Sequence, residues 1–469
     1  MTEGPRPKIP RSALVVAISA ATLGIIYGYD QSNVAGANLY FQPYFGIDDA
    51  AVQSLVAAVV WGEFIGALTG GLVINRFGRK PSIITVAVGY AGFCILSALA
   101  VSPAMLWGSR FCLGLTIGLS LIAVPIFVAE SVPARIRGAT LVAYQVAAVV
   151  GIIIGYVAAL VFGGLSDSIS WRLMLGIAAL PAIILLPFLL RLPETARWLV
   201  MKGRIDKARA SLEVTDPDAD IDAELNEISQ AINAEKGGRF SEMLRKPYLR
   251  ATIFVIGLGF FIQITGINAT VNYGPKIFAA MGFETQTEQI VLSGLVQCIA
   301  LVAVIVSMFV VDRWGRRPIL LTGISIMIAA QLLMVVTFAS QEGTTFTAWQ
   351  TTLGFIGLAG INIGFVFGFG ALVWVYSSES FPARLRGYGS SAMLGADLFA
   401  NIIIAQFFLT VLNTIGGAWS FGIFAILAAL AWVFVFRLAP ETKGRDLEEI
   451  QTFWENGGSW PQTTGRTSS

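Results

Sequence analysis

The chain of 469 residues has no histidine, three cysteines and only 13% charged residues. Without histidine it lacks the commonest metal ligand and the side chain that ordinarily exchanges protons near neutral pH, so any proton handled here must ride on a carboxylate. Cys94, Cys112 and Cys298 each fall inside an apolar run, where cysteine acts as a small packing residue rather than as a disulfide or metal ligand. Nucleophile motifs, Walker loops and metal clusters are missing too, which argues against catalysis and against any cofactor beyond a proton. The net charge of +2 says little about partners, and no nucleic-acid partner is expected. What is abundant is apolar sequence. A mean hydropathy of +0.73 excludes an ordinary soluble domain.

Crossing a bilayer takes ~20 mostly apolar residues. Twelve runs qualify, at 12–36, 51–74, 81–101, 105–129, 139–163, 172–191, 250–280, 289–311, 318–339, 350–378, 388–411 and 417–438. The cations are distributed unevenly. Arg76, Arg79, Lys80, Arg135, Arg137, Arg313, Arg316, Arg317, Arg384, Arg386, Arg437, Lys443 and Arg445 occupy alternate loops, and the opposite loops hold little beyond Lys276 and Arg172. Positive charge marks the cytoplasmic side, so both termini and the central loop are expected there. The first run is too long for a cleaved signal and reads as the first span. The only Asn-x-Ser/Thr triplet, Asn268-Ala-Thr270, lies inside an apolar run, which favours a bacterial inner membrane.

The domain reading is a first half over 1–191, a linker over 192–249, a second half over 250–438 and a cytoplasmic tail over 439–469. In the linker Ala208, Leu212, Ile221, Leu225 and Ile228 stand among acids and bases, which predicts short amphipathic cytoplasmic helices. Residues 1–11 are a polar tail, and 452–469, rich in Gly, Ser and Thr, read as disordered.

The two halves repeat. Glu130-Ser-Val-Pro-Ala-Arg-Ile-Arg-Gly138 returns as Glu379-Ser-Phe-Pro-Ala-Arg-Leu-Arg-Gly387, with seven of nine residues identical. Asn75-Arg-Phe-Gly-Arg-Lys-Pro81 returns as Asp312-Arg-Trp-Gly-Arg-Arg-Pro318, and Pro193-Glu-Thr195 as Pro440-Glu-Thr442. Three charged signatures in one order, shifted by 237 to 249 residues, indicate a duplicated helical unit, the plan of a secondary transporter.

A charge at the bilayer centre costs ~2.5–3.5 kcal/mol, so each one must be explained. At ~1.5 Å per residue, Asp30 lies ~27 Å into run 1 and Arg110 ~30 Å from the Glu130 end of run 4. Opposite charges therefore share a level. They form either a proton-operated switch or a static pair pinning two helices. Glu63, ~18 Å from Asn75, is a second proton site, a substrate acceptor or a neutral interior group. Gln145 in run 5, Gln263, Thr265, Asn268 and Asn272 in run 7, Trp374 in run 10, and Asp397 and Asn401 in run 11 suit a neutral polyhydroxylated solute. An amide offers both donor and acceptor to a hydroxyl, and an aromatic face covers the C–H surface of a sugar ring. The alternative is that the amides tie helices together and that Trp374 is packing.

With these residues assembled, the chain resembles the sugar porter family of the major facilitator superfamily over essentially its whole length. The marks are Gly28-Tyr-Asp30, Asn75-Arg-Phe-Gly-Arg79, Gly108-Ser-Arg110, Pro125-x4-Glu130 through Arg137-Gly138, Pro193-Glu-Thr-Ala-Arg-Trp-Leu199, Gln263-Ile-Thr-Gly-Ile-Asn268, Asp312-Arg-Trp-Gly-Arg316 and Pro440-Glu-Thr-Lys-Gly444. The resemblance implies an all-α membrane protein with twelve transmembrane helices in two pseudo-symmetric six-helix halves. It implies that Asp30 is the proton-carrying acid of symporters with Arg110 as its partner, and that Gln145, Gln263, Asn268 and Trp374 are sugar ligands. Glu130, Arg135, Glu194, Arg197, Glu379, Arg384 and Glu441 correspond to a cytoplasmic charge network that locks the outward-facing state. Departures fall at Ile262, where the family often has a second glutamine, at Asn272 for a tyrosine, at Ala300 for an asparagine, and at Asp397 for a neutral polar residue. Hexose, pentose, inositol and other polyols all remain open, and Asp397 would also suit a cationic solute. The expected activity is import of a sugar or polyol with a proton by a monomer in the plasma membrane. Alternatives are a uniporter, an exporter and a transport-inactive sensor.

Overall fold

The computed structural model describes residues 11–216, 220–235, 239–341 and 346–460. The chain forms two compact units, Met1–Asn233 and Ala234–Ser469, and every described element is helical or irregular. Eleven helices are long and apolar enough to cross a membrane. The last of them, Ala383–Leu438, contains Gly416 at φ 80° and is two spans joined at a kink. The count of twelve in two sets of six follows.

In the first unit the spans are α1 (Arg11–Phe45), α2 (Asp49–Phe77), α3 (Arg79–Ala98), α4 (Pro103–Ser131), α5 (Ala134–Phe162) and α6 (Asp167–Arg191). Helix α1 packs along α5, α2 along α4, and α3 against α4 and α6. Between lipid-bathed helices the driving force is close packing rather than expulsion of water, and small residues permit it. A Cβ on Gly28 would overlap the Ala148 carbonyl of α5, and one on Gly114 the Val59 carbonyl of α2. Bulky apolar side chains such as Leu68, Leu72 and Val161 stand exposed on the other faces, as expected of helices that are apolar all round. Arg172, an exception to the charge asymmetry, ties together the ends opposite the motifs. It donates to the carbonyls of Ala98 at 2.7 Å and Ala100 at 2.8 Å, and its guanidinium lies 4.2 Å over the Trp171 ring.

The linker forms helices Ala196–Met201, Ile205–Thr215, Ile221–Glu235 and Phe240–Met243. Ala208, Leu212, Leu225, Ile221 and Ile228 pack with Ala196, Trp198 and Leu199 into a small core of their own. Linker residues up to Asn233 belong to the first unit and those from Ala234 to the second.

The second unit contains α7 (Leu249–Asn272), α8 (Gln286–Trp314), α9 (Arg316–Ala339), α10 (Ala348–Ser377), and α11 and α12, the parts of Ala383–Leu438 before and after Gly416. The tail differs from the sequence expectation. Residues 447–455 are helical, and Trp454 is 1% exposed, with its ring 5.4 Å from that of Phe254 on α7. Ile450, Phe453 and Trp454 recur at helical spacing and are all buried, and the Gly- and Ser-rich composition around them masked that stripe. Residues 461–469 of the expected disordered segment lie outside the described residues, as does most of the amino-terminal tail.

Candidate functional site

Gly28 brings α1 against α5 and sets Asp30 two residues further into the bundle. Asp30 is 4% exposed and Arg110, on α4, 1%. Arg110 Nη1 stands 3.9 Å from Asp30 Oδ1. That is within ion-pair range and beyond hydrogen-bond range, and neither atom has a hydrogen-bond partner among the described residues. Arg110 is steered from the side, its Nε donating to the Leu55 carbonyl of α2 at 3.2 Å. The neighbouring hydroxyls are committed to backbone, Tyr90 to the Ile26 carbonyl at 2.9 Å and Tyr29 to that of Met174 at 2.8 Å. The cation facing Asp30 is therefore Arg110. Glu63 is buried on α2.

The polar residues expected to meet a solute fall into three groups. Gln145 and Trp374 are exposed, Gln263 and Asn268 partly so, and Asn272, Asp397 and Asn401 are buried. Two of their helices are interrupted where these side chains leave them. Helix α7 breaks at Gly266, which adopts φ +94° between helical segments ending at Ile264 and starting at Ile267. A Cβ there would strike the Phe424 ring. Gln263 and Asn268 flank this break. Helix α10 widens into a π-turn at Val366–Gly370, and Trp374 follows it by four residues, a distortion common at functional positions. Gln263 reaches the Asp397 carboxyl, so one of the departures from the family pattern meets an expected sugar ligand. A second cluster was not foreseen. Gln297 donates to Asn362 at 3.3 Å, and Asn362 to Thr270 at 3.1 Å. These amides satisfy one another, as the helix-tying reading of polar residues predicts.

The repeated charged signatures form matching caps in the two units. Glu194 accepts from the backbone N–H groups of Arg79 and Lys80, both at 3.1 Å, and Glu441 from those of Arg316 and Arg317, both at 3.1 Å. Each carboxylate thus sits on the positive N-terminus of a helix, α3 or α9. The preceding residues, Gly78 at φ 112° and Gly315 at φ 97°, must be glycine on two counts. Other residues resist that backbone, and a Cβ would collide with the glutamate carboxylate itself. The Gly-Arg and Pro-Glu-Thr signatures are therefore two halves of one local structure.

Glu130 receives both arms of Arg79, at 3.0 Å each, with Thr195 Oγ1 at 2.7 Å and Arg197 Nε at 3.9 Å. Such a two-pronged pair is geometrically selective. Arg384 pairs with Glu242 of the linker at 3.4 Å. Glu379 is partly buried near Arg316 and Arg386, and burial pushes its carboxyl up from the ordinary value. Burial also raises Glu194, against the opposing pull of the Thr195, Lys80 and Arg79 N–H groups. The Arg135 side chain lies outside the described residues. Arg79 was visible in the repeated motif without its role as partner of Glu130. Nothing in the linker composition singled out Glu242.

A family model described as sugar (and other) transporter matches residues 16–454. Polyol transporter 5 of Arabidopsis thaliana is 32% identical, covering 97% of this chain and 88% of that protein. The galactose-proton symporter of Escherichia coli (strain K12) is 32% identical, covering 93% of each. Among solved structures, the xylose transporter XylE from E. coli aligns with a TM-score of 0.79 at 23% identity, over 94% of this chain and 100% of that one. The chain belongs to the sugar porter family of the major facilitator superfamily, and is a multi-pass membrane transporter rather than an enzyme.

Proposed function

We propose that the protein imports a neutral sugar or polyol together with a proton, by alternating access, with both termini cytoplasmic in the plasma membrane of a bacterium. The buried Asp30–Arg110 pair carries this reading. A static pair kept for stability would close into direct hydrogen bonds, which repay desolvation. This one stops at 3.9 Å with the facing atoms otherwise unpartnered. A proton on Asp30 then cancels the attraction without breaking a hydrogen bond to Arg110. Names of relatives support the substrate class: one is a galactose-proton symporter, one an arabinose-proton symporter and others polyol transporters. Gln145, Gln263, Asn268, Asn272, Trp374, Asp397 and Asn401 serve as solute ligands in this reading.

The test is uptake of D-galactose, L-arabinose, D-xylose and sorbitol into proteoliposomes with an acid exterior. The wild type concentrates at least one of them and stops when a protonophore collapses the gradient. Asp30→Asn abolishes uphill uptake and retains counterflow. Concentration by Asp30→Asn would show that coupling lies elsewhere, and wild-type uptake indifferent to the gradient would establish a uniporter.

A further inference from the structure

Gln331 sits in α9, fully buried at 0% exposure, on a helix that carries none of the expected solute ligands. Its side-chain Nε2 donates to the Thr265 carbonyl of α7 at 2.8 Å. Thr265 is also at 0% exposure and immediately precedes Gly266, where α7 breaks. Ending a helix frees its last carbonyls from intrahelical partners, and at bilayer depth no water can take them over. The Gln331 amide takes over the carbonyl at the break itself. Its Oε1 has no partner among the described residues, so the amide is held here for its donor. Two residues before Thr265 stands Gln263, and three after it Asn268. The angle between their two segments decides whether both can address one solute.

We propose that Gln331 is a positioning residue of the solute site, fixing the α7 break from the neighbouring helix. It touches no solute and acts through the Thr265 carbonyl. This inference rests on the reading of Gln263 and Asn268 as solute ligands.

Three variants of the full chain in liposomes test it: Gln331→Met, of similar volume without a donor; Gln331→Glu, which donates from the same place when protonated; and Val336→Ala, an exposed position on the same helix as a control. Hydrogen exchange of segment 262–272 reports the break without needing a solute. KM and kcat for D-galactose, L-arabinose, D-xylose and sorbitol report the site. In Gln331→Met, exchange of that segment rises, KM rises about tenfold, a factor typical of one lost hydrogen bond, kcat changes less than twofold, and the ranking of the four solutes shifts. Gln331→Glu recovers most of the KM, and the control matches wild type. Unchanged exchange in a folded Gln331→Met variant, or faster exchange with KM values unchanged for every solute, overturns the proposal. If wild type transports none of the four while Gln331→Met still loosens 262–272, the sugar reading fails and the support of the break by Gln331 stands.

Discussion

Asp397 and Glu194 are acids in different settings, the first buried and the second partly exposed. Asp397 lies within reach of Gln263 in the interior of the second unit. An ionised carboxylate only accepts hydrogen bonds, whereas a protonated one also donates, so Asp397 as a solute ligand is expected to discriminate among hydroxyl patterns. Asp397→Asn is expected to reorder binding among hexoses, pentoses and polyols in purified protein, and equal weakening for every ligand rules that role out. Glu194 instead caps α3. Replacing it by Ala leaves the backbone N–H groups of Arg79, Lys80 and Thr195 without their acceptor and is expected to cost about 1–2 kcal/mol, read as a lower thermal midpoint. Glu194→Gln keeps an acceptor oxygen. Because burial raises the Glu194 carboxyl, its contribution is fully present below the unfolded value of 4.5 and is lost as pH rises through the folded value. The stability of wild type relative to Glu194→Gln therefore falls from pH 4.5 towards neutrality. A difference that grows with pH would mean that the N–H caps outweigh burial.

Among the helices, the expected solute residues of α7 and α10 stand where regular geometry is abandoned. Helix α7 is continuous in hydropathy across 250–280, yet it breaks at Gly266 because only glycine accepts φ +94° and leaves room for the Phe424 ring. Gly266→Ala is expected to destabilise by at least the ~1–2 kcal/mol of a left-handed non-glycine residue, and to weaken solute binding through Gln263 and Asn268. Intact binding with lowered stability would confine the break to a folding role. The same logic accounts for what the sequence showed of the motif glycines. Gly78 and Gly315 were legible as repeated, but their reason, a glutamate carboxylate lying where a Cβ would be, comes from residues more than a hundred positions away. The linker core was legible from spacing alone, since Leu212, Leu225 and Ile228 sit on amphipathic helices that pack locally.

For the carrier as a machine, energetics sets the scope of Asp30. One charge moved through ~100 mV supplies ~2.3 kcal/mol, enough for roughly fifty-fold accumulation of a neutral solute. In the proposed mechanism the conformational step responds to the charge on Asp30, and the charged ends of each unit are expected to hold that step. Glu379, raised by burial against the opposing pull of Thr442, Arg316 and Arg386, keeps one carboxylate oxygen without a partner among the described residues. Glu379→Gln is expected to slow net uptake severalfold and to shift cysteine accessibility towards the inward-facing pattern. Accessibility unchanged from both sides removes Glu379 from the gate.

Long apolar runs, alternating cations and three repeated signatures were enough to read a duplicated twelve-span bundle, because bilayer thickness and charge burial act on local sequence. The level shared by Asp30 and Arg110 was legible for the same reason: rise per residue is a one-dimensional quantity, and the pair lies 3.9 Å apart. Beyond that pair, partner choice was not legible. That Arg79 holds Glu130, that Glu242 meets Arg384, and that Gln331 supports Thr265 depends on which helix faces are turned towards each other. Those rotations come from side-chain packing between distant segments, where each polar atom must find its partner out of reach of water.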